Sequence, residues 1–289
     1  MFKQGISQTI SARNITNSAK FPALFLGATK YAQASTNSSL DNFTAFTAMH
    51  SFNHTDATYS GSGASHFFNI LKNDNSSIFL DSGSTAGFAM QPYGFNNYAI
   101  VSNGSSKTLL TVARQRATIS SAAGRRGDAI ITYALTGDAS SNTVVWHSIV
   151  SSGVQADGND TTVHVKSTHS YTFTNWGALG TDGYINIGAY RQAGAAMDTS
   201  NANLDQGHGF LRAQLWDSVL TDQQILNTVG GDGTVFSMPS YSEGNYPQPL
   251  HEWIPVLGNN LQLLDTGSAT AINLTIHGLA KVGYFLGRT

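Results

Sequence analysis

Cleaving a glycosidic bond takes two carboxylates roughly 5 to 10 Å apart. This chain of 289 residues holds only two glutamates, Glu243 and Glu252, both in its last quarter. Asp128, Asp138, Asp157, Asp160, Asp182, Asp198 and Asp205 all fall in Gly-, Ser- and Asn-bearing turn patterns, where Asp serves the backbone. His147, His164, His169, Arg114, Arg116 and Tyr190 are the types a polysaccharide lyase uses on a concave face, but a solvated strand face carries the same types. His50 and His54 have the spacing of a zinc pair on a helix, whereas four residues along a strand separate the rings by roughly 13 Å, too far for one ion. There is no serine-nucleophile signature, and no Gly-rich phosphate loop leads into a helix. The chain is therefore read as non-enzymatic, with no catalytic residues and no required cofactor.

Sugar binding asks for something else, an aromatic platform beside convergent hydrogen-bonding groups. Trp176 beside Asn175 and Gly177, Tyr190 beside Arg191, and Tyr93 beside Gly94 and Asn96 lie in loop-like settings where a ring could stand exposed. These three are the candidate ligand-binding residues; the alternative for each is packing on its own sandwich or on a neighbouring subunit. Trp146 and Trp216 read as core.

The elements that must position these groups are strands. Charged residues make up 11% of the chain, Ser, Thr, Asn and Gly are abundant, and β-branched and aromatic residues are well supplied, a composition of short strands and tight turns. A net charge of −2 gives no field to steer the chain to nucleic acid, and no apolar run is long enough to span a bilayer, so neither nucleic acid nor membrane insertion is expected. With no cysteine, stability must come from the core or from subunit contacts. Residues 1–20 carry Lys3, Arg13 and Lys20 without an acid and lack the apolar stretch of a signal peptide, which reads as a flexible or strand-exchanging arm, with a transit peptide as the alternative.

Period-two patterns run over residues 43–52, 66–72, 77–81, 108–118, 128–136, 143–151, 163–173, 184–190 and 210–216. In residues 163–173, Val163, Val165, Tyr171 and Phe173 share one face while His164, Lys166, Thr168, Ser170 and Thr172 share the other. No helical crossovers separate the strands, so the sheets should be antiparallel. One helix is expected after the capping box Thr221-Asp222-Gln223-Gln224, ending at Gly230-Gly231. Four of the six prolines, Pro239, Pro247, Pro249 and Pro255, lie beyond Gly233. The organisation expected is an arm over 1–20, a sandwich domain over 21–233 and an extension over 234–289.

The order of these segments resembles the laminin-G-like branch of the concanavalin A-like lectin/glucanase jelly rolls. Asn42-Phe43-Thr44-Ala45-Phe46 is similar to an early core strand of that family, Asp128 to Tyr133 with Thr143 to Ser148 to its central hairpin, and Ile185-Asn186-Ile187-Gly188 to a short strand that follows. The most specific match is Gly209 to Ile225, which resembles the closing strand and its "L-[ST]-D-x-x-I" helix. Glu252-Trp253 through Asp265 to Ser268 resembles a stretch that often opens such a domain, displaced here to the C-terminal side. The resemblance implies an all-β, antiparallel two-sheet jelly-roll sandwich with one short helix and terminal extensions. It also implies calcium at a sandwich rim, for which Asp205 and Asp265 are the candidates against a turn or cap role. The "E-x-D-x-x-E" motif of the laminarinase-type members is missing.

Jelly roll, low charge, no cysteine and polar arms together suit a bacteriophage virion protein: a capsid decoration, head-fibre or tail-associated subunit, made in the host cytoplasm and displayed on the virion surface. Its expected partners are other virion proteins, itself as a homo-oligomer, and host surface glycans. The alternatives are a stand-alone carbohydrate-binding module and a polysaccharide-cleaving enzyme.

Overall fold

The structure, a computed structural model, describes residues 20–25, 30–54, 68–72, 86–93, 96–103, 107–113, 129–154, 160–170, 174–188, 190–191, 197–198, 209–229, 241–242, 245–278 and 281–286. Its strands are β1 (Lys20–Phe25), β2 (Tyr31–Ser35), β3 (Ala45–His54), β4 (Phe68–Lys72), β5 (Ala86–Tyr93), β6 (Asn96–Asn103), β7 (Lys107–Ala113), β8 (Ala129–Asp138) and β9 (Thr143–Val154). They continue with β10 (Asp160–Ser170), β11 (Gly183–Ile187), β12 (Tyr190–Arg191), β13 (Met197–Asp198), β14 (Gly209–Trp216), β15 (His251–Ile254), β16 (Gln262–Asp265), β17 (Leu274–His277) and β18 (Lys281–Leu286). Among the described residues one α-helix, α1 (Asp222–Asn227), follows β14.

The hydrogen-bonded path runs β10-β9-β8-β3-β14-β15-β16-β17-β2-β11-β4-β5-β6-β7. Its two halves fold onto each other. Phe46 of β3 meets Phe88 of β5 at 5.7 Å, and Phe68 of β4 meets Trp253 of β15 edge-on at 5.9 Å, contacts that only facing sheets can make. Neighbouring strands are antiparallel in every described pairing, as the sequence predicts. The chain is thus the all-β jelly-roll sandwich with one short helix that its sequence predicts.

A bulge in β14 decides what covers the first sheet. The register with β3 shifts between Phe210 and Arg212, so Phe210 before the shift and Ala213 and Leu215 after it all face the core. Arg212, Gln214 and Trp216 then point outward. There a second cluster of Met49, Ala134, Ile149, Trp216, Leu220, Ile225, Val229 and Tyr246 buries α1 against the sheet. Six residues are too few for a helix to stand alone, so packing and capping hold it. Thr221 accepts from the Gln224 amide and Gln224 reaches back to Thr221, the predicted capping box. At the other end the Arg212 guanidinium donates to the Thr228 carbonyl.

The described strands beyond Gly233 are woven into the sandwich. β15, β16 and β17 lie in the sheet path between β14 and β2, and Trp253, Leu263 and Leu274 are wholly buried. The prolines mark the turns into these strands: the Pro247 carbonyl accepts from the Trp216 indole, and the Pro249 carbonyl accepts from Ser268 N. β18 pairs with β1 from Lys20↔Leu286 to Phe25↔Lys281, and β1 also meets β14 at Leu24↔Phe210. The arm expected over residues 1–20 lies outside the described residues except for Lys20, which begins β1.

Candidate binding face on the second sheet

Alternation along β2, β17, β11 and β4 sends Ala32, Leu274, Ile185, Ile187, Phe68 and Ile70 into the core. The opposite parity faces outward. On β2 these residues are Tyr31, Gln33 and Ser35, on β17 Thr275 and His277, on β11 Tyr184 and Asn186, and on β4 Asn69 and Leu71, the last of them buried. Register then makes a row of them, with Thr275 opposite Gln33, Gln33 opposite Asn186, and Asn186 opposite Asn69. At the usual strand spacing that row is about 14 Å long.

The amides along it are coupled. Gln33 Nε2 donates to Asn186 Oδ1 at 2.8 Å, and Asn186 Nδ2 donates to Asn69 Oδ1 at 2.7 Å. Asn69 and Asn186 are buried, at 0% and 1% exposure, so each bond there fixes the next amide and the dipoles align toward Gln33, which is half-buried. Two residues back along β2, Tyr31 stacks on His277 of β17, ring centres 4.6 Å apart and planes 18° apart. Both rings are half-buried, Tyr184 is half-buried, and Thr275 is exposed. The result is an aromatic pair beside an oriented, uncharged hydrogen-bonding strip. It can hold a polyhydroxylated ligand through the rings and the Gln33 amide, with buried Asn186 and Asn69 as its brace, and its described residues include no carboxylate pair to cleave one.

The predicted aromatics lie elsewhere. Trp176 is wholly buried: its ring stacks on Phe43 at 4.6 Å and lies 5.6 Å from Phe88, and its Nε1 donates to the Leu40 carbonyl at 2.6 Å. That corrects the expectation of an exposed platform. Flanking Asn and Gly suggested a surface turn, but the turn folds back so that Trp176 N reaches the Phe43 carbonyl and Asn175 caps Gly177. Tyr93 ends β5 and Tyr190 starts the two-residue strand β12 paired with β13, strand positions where a loop was expected; their side chains lie outside the described residues.

Asp205 lies outside the described residues. Asp265 is placed, and it is saturated. Its Oδ1 accepts from Glu252 N and Gly267 N, each at 3.0 Å, and its Oδ2 accepts from His251 Nδ1 at 2.6 Å and Ile272 N at 2.8 Å. Burial pushes this carboxyl up, but the His251 bond and the three backbone N–H bonds outweigh it and hold the group below the usual carboxylate range. Four N–H donors occupy the lone pairs a calcium ion would need, so the cap reading holds for Asp265 and the metal reading is corrected. Among the described residues no three His, Asp or Glu side chains are placed to share a metal ion.

His50 is a core residue. It lies 5.8 Å from Phe210 and 5.2 Å from Phe52, and complete burial lowers its pKa to about 3, so the ring is neutral.

No protein-family model matches the sequence, and no curated protein matches it. Solved structures do resemble the fold. A native heptameric SAP-like pentraxin from Limulus polyphemus aligns over 90% of this chain and 96% of its own, at 11% identity and a TM-score of 0.42. Domains LG4-5 of the mouse laminin alpha1 chain align over 67% of this chain and 40% of theirs, at 13% identity and a TM-score of 0.37. The lectin UEA-II, solved in complex with galactose, aligns over 69% of this chain and 98% of its own, at 12% identity and a TM-score of 0.33.

The amide row and its aromatic pair were not singled out in the sequence. The available signal was Tyr31-Ala32-Gln33-Ala34, which alternates ring, methyl, amide, methyl. What it lacked was the cross-strand partner, since β17 and β11 join β2 from far along the chain.

Proposed function

We propose that the outward face of β17 and β2 binds an uncharged glycan, with Tyr31 and His277 as the stacking platform and Gln33, braced by the buried Asn186 and Asn69, as the leading hydrogen-bonding group. One observation carries the reading: three amides in register, hydrogen-bonded in one direction, end beside a stacked aromatic pair. Pyranose rings combine apolar C–H faces with equatorial hydroxyls, and this face offers a partner for each. A glycan array on the full chain, followed by calorimetry, tests it. Tyr31→Ala and Gln33→Ala should each weaken the best ligand about tenfold or more, equal to about 1.4 kcal/mol. An array with no neutral-glycan binder, or wild-type affinity in both variants, would overturn it.

The setting we propose is a virus particle, with this chain as an oligomeric decoration, fibre or tail-associated subunit that presents the face to host glycans. The low charge and the open sheet edges support that setting. Among the described residues β10 pairs only with β9, and β18 only with β1, which leaves backbone groups on each able to take a neighbour's strand. Light scattering behind size exclusion should find a stable oligomer; a monomer at all concentrations would remove the assembly part and leave the glycan part standing.

A further inference from the structure

Away from that face, the outer side of the first sheet carries a cluster that glycan binding does not use. His147 of β9 and His164 of the edge strand β10 meet with Nδ1 and Nε2 3.0 Å apart. Their planes lie within 18° and their centroids 5.3 Å apart, the separation of two edge-on rings joined by an in-line hydrogen bond. Lys166, two residues along β10 and directly opposite His147, pairs with Asp222 at the first position of α1. His147 is 2% exposed, and on its other side the residue opposite is Ala134 of β8. Among the described residues, the charged or titratable groups facing the pair are Lys166 on its own sheet and Asp222 from the helix.

We propose that His147, His164, Lys166 and Asp222 form an acid-released latch that clamps the edge strand β10 and the start of α1 to the first sheet.

The proton count explains the release. A neutral pair shares one N–H, with one nitrogen donating and the other accepting. A first added proton is tolerated: on the outer nitrogen of His164 it leaves Nε2–H donating to His147 and strengthens that bond by charge. A second proton sets N–H against N–H and cation against cation, beside Lys166. Burial above all, then the His164 and Lys166 charges, lower the His147 pKa to about 4 against the opposing pull of Asp222, and burial likewise lowers His164. Opening lets both rings titrate normally, so acid drives the open state. β10 responds because β9 is its one strand partner among the described residues.

Hydrogen exchange on the full chain, corrected for the intrinsic pH dependence of exchange, tests the latch. Each proton linked to opening changes the opening constant up to tenfold per pH unit below the free histidine value. Between pH 6.5 and 4.5, β10 amides should lose at least tenfold in protection, through an opening that leaves them exchanging at least tenfold faster than β3 and β8 amides at each pH. Unchanged β10 protection overturns the proposal, and so does exchange at the rate of β3 and β8, which is global unfolding. A double variant, His147→Gln with His164→Gln, should flatten the β10 response; the same drop in a folded variant also overturns it.

Discussion

His251 donates through Nδ1 to Asp265 at 2.6 Å with both side chains essentially sealed from water, 0% and 1% exposed. The bond sits where the sheet path passes from β14 through β15 and β16 to the second sheet. Asp265 also gathers the amides of Glu252, Gly267 and Ile272, so one carboxylate organises the whole turn region. Replacing it orphans four donors, each needing a partner when buried. Asp265→Ala should cost about 3–5 kcal/mol in urea unfolding. Adding calcium should not raise the wild-type midpoint through this residue.

Acid sensitivity follows from His50. Its pKa is lowered to about 3 in the native state by burial, against a normal value of 6.5 when unfolded. The unfolded chain therefore binds the extra proton, and stability is lost as pH falls from 6.5 toward 3, at about 1.4 kcal/mol per pH unit. Asp265 adds a loss at lower pH, since a carboxyl held below its normal range stabilises above pH 3.8 and stops doing so as pH falls through its lowered value. Melting His50→Leu beside wild type from pH 7 to 4.5 should show a shallower decline, by about one proton's slope, in the variant.

Trp176 and Tyr31 should separate stability from binding. Trp176→Ala removes a wholly buried ring packed on Phe43, Phe46 and Phe88, at a cost of about 3–5 kcal/mol. The fraction that folds should bind glycan with unchanged affinity. Tyr31→Ala should do the reverse, keeping the melting temperature within a few degrees and losing affinity. Calorimetry and thermal melts on the same samples decide between them.

The helix should depend on its cap. Thr221→Ala removes the acceptor for Gln224 N and should cost about 1 kcal/mol. Because Asp222 also anchors Lys166, the loss should appear as faster hydrogen exchange at the start of α1 and in β10 more than in β3.

Gly87 is fixed by space as well as by backbone. Its φ is +113°, and a Cβ there would lie 1.9 Å from the Ile70 carbonyl oxygen. Gly87→Ala should force β5 away from β4 and lower stability by several kcal/mol, read as a drop in expression and melting temperature.

Local rules wrote much of this fold into the sequence. The alternation of Val165 with His164 and Lys166 marked the faces of β10, and Thr221 to Gln224 marked the start of α1. The failures came where a distant partner decides. Pro247 and Pro249 looked like a tail, yet their carbonyls close turns that feed Trp253 into the core. Trp176 looked exposed because nothing local shows the Leu40 carbonyl waiting for its indole. Gln33, Asn186 and Asn69 are separated in sequence by up to 153 residues, and only the register of β2, β11 and β4 makes them one row.

The pairing of β1 with β18 means the fold has no privileged starting point. Lys20 lies opposite Leu286 and Phe25 opposite Lys281, so the first and last described strands are neighbours and the course of the chain, though not the sheet, is like a ring cut at a single link. The cut can be moved. Joining β1 to β18 through a short linker and opening the exposed turn at Ser140 and Ser141 would renumber every strand while keeping every hydrogen-bonded neighbour except across the new gap.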